Sequence, residues 1–270
     1  MKLFFLLIPF FLFADTSTGT DHNTLRAYFK LEQNKPSLFQ NLGNAKDGEI
    51  ELISDCEAIS SIEEITKERL SKKNLPSSFA KVGIIAEDQY LYLLRDAVRF
   101  PSGHEGTFIR IAQKSGKDNV PGVAVLIQLS DNTFVLNTNF RHATRSWELE
   151  LPRGYLDKNE TLESAAKREV LEETGYLIDK PLFLGWMNPD SGILASTVAV
   201  FYAKADKITC VRQEETEAIA KNPTFTKKQL KQLLNDGYFT TPISSKKKKI
   251  FVRDSFLTYA LCMGEIKGLF

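Results

Sequence analysis

Gly154-Tyr155-Leu156-Asp157-Lys158-Asn159-Glu160-Thr161-Leu162-Glu163-Ser164-Ala165-Ala166-Lys167-Arg168-Glu169-Val170-Leu171-Glu172-Glu173-Thr174-Gly175 is the stretch whose reading decides the fold. At about 100° per residue, Glu169 and Glu173 fall one helical turn apart and about 40° around the axis, with Glu172 beside them. Leu162, Ala165 and Ala166 share or adjoin that side, so the carboxylates line up with small apolar residues rather than with a solvated face. Two glutamates so placed repel, and burial raises the cost unless a cation or protons compensate. Hard oxygen donors of this kind suit Mg²⁺ or Mn²⁺.

The ends of the helix are also written into the chain. Thr161 is placed to cap its start with Glu163 in the first turn, and Gly175 to take the left-handed conformation just past its end. Ahead of it, Trp147-Glu148-Leu149-Glu150-Leu151-Pro152 reads as a strand stopped by a proline, so Arg153 and Gly154 open a strand-to-helix loop.

These residues resemble the Nudix box: a glycine, five residues, a glutamate, seven residues, then Arg-Glu-aliphatic, one residue, Glu-Glu, one residue, and Gly-aliphatic. Every fixed letter is present in Gly154, Glu160, Arg168, Glu169, Glu172, Glu173 and Gly175, and Tyr176 stands where the last aliphatic residue is usual. The resemblance implies an α+β protein built as a Nudix α/β/α sandwich with a mixed sheet. It also implies metal-dependent hydrolysis of a nucleoside diphosphate linked to another group. On that basis Glu169, Glu172 and Glu173 correspond to metal-binding glutamates. Arg168 corresponds to the arginine that orients them, Glu160 to an accessory position, and Arg153 to the residue whose backbone carbonyl joins the metal. The Arg153 side chain is a candidate for a substrate phosphate.

A pyrophosphate repels nucleophiles, so its hydrolysis needs charge neutralisation, an activated water and a proton acceptor. In several Nudix subfamilies the acceptor lies on a later loop. Here Glu217, then Glu215, is the candidate, against a plain solvated turn.

The resemblance extends beyond the box. Arg95 to Arg110, Asn139-Phe140-Arg141, and Glu148 to Pro152 look like the ADP-ribose pyrophosphatase branch. That branch precedes its catalytic domain with a small antiparallel β domain used for substrate binding and dimerisation, so a homodimer is expected. Pro189, 14 residues past Gly175, fits the same branch, and Arg141 resembles its substrate-phosphate arginine. The expected reaction is cleavage of ADP-ribose or an ADP-sugar to AMP and a sugar phosphate. Dinucleoside polyphosphates, NADH or capped RNA are the alternative substrates, and a non-catalytic nucleotide-binding module is the alternative class.

The rest of the chain frames these motifs. Residues 1–14 read as a signal peptide, 15–78 as an extension packed loosely on its neighbour, 79–118 as the β domain and 119–270 as the Nudix domain. Strands are expected at about 80–86, 90–98, 107–113, 122–129, 133–140, 146–151, 176–186 and 195–204. Helices are expected near 61–71, 226–234 and 254–264. Met1-Lys2 before an apolar run from Leu3 to Phe13 has the layout of an export signal, too short for a stable membrane span, with a cytoplasmic location as the alternative.

A net charge of +1 over 270 residues gives no bulk attraction to nucleic acid, and no such partner is expected. Cys56, Cys210 and Cys262 form no pair motif. Lys246 to Lys249 reads as a solvated loop, and His142 as a neighbour of the substrate arginine.

Overall fold

In the computed structural model the described residues are 21–116, 120–208 and 217–270. The signal-like segment 1–14, Glu215 and Cys210 lie outside them.

The first unit contains α1 (Asp21–Asn34), β1 (Glu51–Ile53), α2 (Cys56–Ser71), β2 (Gly83–Glu87), β3 (Leu91–Arg99) and β4 (Glu105–Gln113). β3 is its axis. β4 pairs antiparallel along its whole length, while β2 and β1 share its other edge. Tyr28 and Leu31 of α1 pack with Leu38 and Phe39 on Leu94 and Ala112, and Ile59 and Ile62 of α2 pack on Ile53, Val82 and Ala97. The Tyr28 hydroxyl donates to Asp96, whose carboxylate also accepts from Arg110 Nε at 2.6 Å. Residues 21–71 therefore help to build the β domain's core, where the sequence suggests loose packing. Their apolar side chains are sparse, but most of them point inward.

The second unit follows in chain order: β5 (Gly122–Leu129), β6 (Thr133–Val135), β7 (Asn137–Arg141), β8 (Ser146–Glu150), β9 (Arg153–Tyr155) and α3 (Leu162–Thr174). After α3 come β10 (Tyr176–Ile178), β11 (Leu182–Met187), β12 (Val198–Ile208), β13 (Ile219–Lys221) and β14 (Thr224–Thr226). The chain closes with α4 (Lys227–Asp236), β15 (Tyr238–Ile243), β16 (Lys246–Phe251) and α5 (Ser255–Ile266). Both sheets are mixed: β5 and β12 run parallel within one, β8 and β16 within the other, and the remaining pairs are antiparallel.

β5 shows why the layers form. Val123, Val125 and Ile127 face Ala165, Ala166 and Val170 of α3, while Ala124 and Leu126 face Phe256, Leu257, Ala260 and Leu261 of α5. A strand apolar on both faces is one covered on both sides. That places α3 and α5 on opposite faces of one sheet, the expected sandwich.

Two expected strands are each split, at Leu136 and between Ile178 and Leu182. Lys246–Lys249 lie in a strand rather than a loop, because β15 supplies a hydrogen-bonding partner. Among the described residues no helix is long and apolar enough to cross a membrane.

Candidate active site

α3 is capped as its sequence directs: Ser164 N–H donates to the Thr161 side chain at 3.2 Å, and Gly175 closes the helix at φ 74°. Its buried face carries Ala165, Ala166 and Val170, but also Glu169 and Glu173, which are only 6% and 2% exposed. Two carboxylates on the inner face of a helix need a specific reason. Gly154 of β9 passes directly beneath one of them, since a Cβ on Gly154 would lie 2.1 Å from Glu169 Oε1.

Arg168 ties the cluster together. Its guanidinium reaches Glu160 at 2.8 Å, Glu169 at 2.7 Å, Glu172 at 3.0 Å and the Tyr155 carbonyl at 2.7 Å. This hydrogen bonding holds Glu160 below the usual carboxylate range. Glu169 is pushed up to about 7 by burial, opposed by Arg168 and reinforced by Glu172 and Glu217. Glu173 is raised by burial first, then by Glu217 and Glu169. It is held by Arg153 N–H at 2.9 Å and by the Asn137 side-chain amide at 2.7 Å. Asn222 Nδ2 supports Asn137 at 2.7 Å and the Glu173 carbonyl at 3.0 Å. Glu217, from the segment before β13, is thus close enough to Glu169 and Glu173 for its charge to act on both.

A cleft of about 260 Å³ opens beside β9, its walls including Gln113, Arg141, Arg153, Tyr155, Pro189 and Phe256. The three candidate substrate residues Arg141, Arg153 and Pro189 therefore share one cavity. Both arginines converge on the buried Glu150 carboxylate, Arg141 at 2.6 Å and Arg153 at 2.9 Å. Arg153 is further fixed by Asp254 at 2.9 Å and lies 4.7 Å over the Phe256 ring. Asp254 also accepts the N–H groups of Leu151 and Leu257, capping α5. His142 is exposed and pairs with Arg145 at 2.8 Å.

Among the described residues no three His, Cys, Asp or Glu side chains stand at metal-ligand spacing. Glu169 and Glu172 are turned onto Arg168, and Glu173 onto Asn137 and the Arg153 amide. The donor chemistry nonetheless fits a hard divalent cation, because burial and the neighbouring carboxylates raise the cost of ionising Glu169 and Glu173.

Asn137, Asn222 and Asp254 are absent from the sequence-based candidates, and Glu150 enters there only as part of a branch pattern. Glu150 had a local signal, a carboxylate alternating with Leu149 and Leu151 in a strand. Asp254 had another, an acidic residue just ahead of an apolar helix. Asn137 and Asn222 carried none.

A helix with buried glutamates, packed on a mixed sheet beside an arginine-lined cleft, is suited to binding polyphosphate. Residues 118–230 match the NUDIX domain family, so this part of the chain is a Nudix domain. The mouse (Mus musculus) ADP-sugar pyrophosphatase is 32% identical over 98 residues, covering 34% of this chain and 45% of the mouse protein. The chain thus matches less than half the length of that relative. A solved structure described as an ADP compounds hydrolase superposes with a TM-score of 0.53 at 19% identity, covering 69% of this chain and 91% of the other. That likeness is one of fold.

Proposed function

We propose that this chain hydrolyses the pyrophosphate bond of an ADP-linked small molecule, ADP-ribose or an ADP-sugar, releasing AMP and a sugar phosphate. The observation that carries the reading is the pair of buried carboxylates Glu169 and Glu173, the first held by Arg168, beside a cleft that holds Arg141 and Arg153. Glu169, Glu172 and Glu173, with the Arg153 carbonyl, would hold Mg²⁺ or Mn²⁺. Such a cation supplies charge neutralisation at the pyrophosphate and acidifies water.

The chain's own groups do the rest. Arg141 and Arg153, fixed by Glu150 and Asp254, present guanidinium N–H groups to the phosphates from positions set before substrate arrives. Glu217 accepts the proton of the attacking water, and Arg168 keeps Glu169 and Glu172 in place. The mouse relative's name supports an ADP-sugar as the substrate.

A substrate panel with Mg²⁺ and with Mn²⁺ tests the reading. AMP released from ADP-ribose but not from diadenosine polyphosphates supports it. Cleavage of the dinucleotides alone replaces the substrate, and cleavage of nothing while nucleotide still binds replaces the enzyme with a binding module.

A further inference from the structure

The charge of this chain is balanced as a whole, at +1, but not along its length. Between Glu217 and Arg253 stand nine lysines and arginines against two acidic residues, Glu217 and Asp236. Four of these lysines lie in β16, whose hairpin with β15 ends the five-stranded sheet.

Cross-strand partners share a face, so Tyr238 lies beside Phe251, Thr240 beside Lys249 and Pro242 beside Lys247. Phe239, Ile243 and Ile250 take the opposite face into the core. The outward face interleaves cations with rings: Lys249 Nζ lies 3.8 Å from the centre of Tyr238 and 4.9 Å from that of Phe251, and Arg253 lies 4.3 Å from Phe251.

This face continues to the cleft. Phe251 sits opposite Glu148 on β8, and Arg253 bonds Glu148 at 2.7 Å and Ser146 at 3.1 Å. Ser146 is the cross-strand partner of Arg141, which lines the cleft. Neighbouring strands are about 4.8 Å apart, so β15 lies roughly 10 Å from β8 across the sheet. Lysines on an edge hairpin also deter strand pairing between molecules. That role accounts for the charge, but not for Tyr238 held 47% exposed among the lysines or for the run of polar contacts into the cleft.

We propose that the outer face of β15 and β16 is a binding track for a single-stranded polynucleotide directed toward the cleft. Backbone phosphates lie on Lys247 and Lys249, and bases stack on Tyr238 and Phe251. Lysines bind phosphate without regard to sequence, and rings stack on any unpaired base. A duplex keeps its bases turned inward and would leave the rings without a stacking partner.

Fluorescence anisotropy of the full chain with a labelled single-stranded oligoribonucleotide tests this. Binding weakens as salt rises, with a log–log slope near −0.7 for each phosphate contacted. The Lys247→Glu/Lys249→Glu double variant binds at least about tenfold more weakly and with a shallower slope. Tyr238→Ala binds about fivefold more weakly with the slope unchanged. Thermal melts check that these variants fold, and a Lys247→Ala/Lys249→Ala variant gives the same direction of change should charge reversal disturb the hairpin. Hydrolysis of small nucleotide substrates stays at the wild-type rate, which separates this surface from the cleft. The inference is overturned if RNA does not bind, if the double variants bind as tightly as wild type, if duplex RNA binds equally well, or if only anionic phosphatidylglycerol vesicles bind.

Discussion

The carboxylate of Glu169 lies directly over Gly154, so close that a methyl group on that glycine would stand 2.1 Å from one carboxylate oxygen and 2.3 Å from the other. The first glycine of the motif is therefore required for the space it leaves, and its φ is not left-handed. Gly154→Ala is expected to push Glu169 aside, because the end of a side chain yields more readily than backbone. Activity should fall by about tenfold or more through a weaker metal site, while the melting temperature changes by only a few degrees. Mg²⁺ titration of the variant beside circular-dichroism melts checks the pairing of a large functional loss with a small structural one.

Burial raises Glu169 from an ordinary 4.5 to about 7. A carboxyl raised by folding holds its proton more tightly in the folded state, so its contribution to stability is fully present below about pH 4.5 and lost as pH rises through about 7. On the order of 3 kcal/mol is at stake, from 1.36 kcal/mol per pH unit. In EDTA the melting temperature should decline between about pH 5 and 8, and millimolar Mg²⁺ should reduce that decline by binding the ionised form. A Glu169→Gln protein that keeps the full decline would assign it to another group.

Arg168 holds three carboxylates with one planar fork. Arg168→Lys should lose most of the activity despite keeping the charge, since an ammonium cannot bridge Glu160, Glu169 and Glu172 together. Arg168→Ala should lose at least as much and melt several degrees lower, because the carboxylates then face one another without a cation. Equal activity in the lysine variant and wild type would reduce Arg168 to a point charge.

Much of this arrangement was legible in the sequence, and the exceptions have a common cause. The glutamates, Thr161 and Gly175 could be read because a helix fixes spacing locally, and β5 because its apolar residues run without a break. α1 is not legible as a helix, since Tyr28 becomes a core residue only by meeting Asp96 and Arg110, 68 and 82 positions further along. α2 begins at Cys56 instead of near Ser61 because Asp55 accepts the Ala58 N–H as an N-cap. β16 was hidden by its lysines, which are poor strand formers until β15 pairs with them. Asn137 and Asn222 act through partners across the chain, which local spacing does not reveal.

Asp254 separates anchoring from capping. Asp254→Ala removes the α5 cap, the Arg153 partner and the acceptor for Leu151 N–H, for an expected loss of about 2–3 kcal/mol. Asp254→Asn keeps an acceptor for the cap but weakens the grip on Arg153. It should melt close to wild type while KM rises about tenfold and kcat changes little. An unchanged KM would mean that Arg153 does not bind substrate.

The most direct measurement is the initial rate of AMP release from ADP-ribose at saturating Mg²⁺, compared between wild type and Glu173→Gln. Glutamine keeps the size of the side chain and an acceptor for the Arg153 amide, but removes the charge that a metal needs. Metal binding through Glu173 implies Mg²⁺-dependent release by wild type and a rate lower by about a thousandfold in the variant, with the fold intact. Equal rates in the two proteins would contradict it.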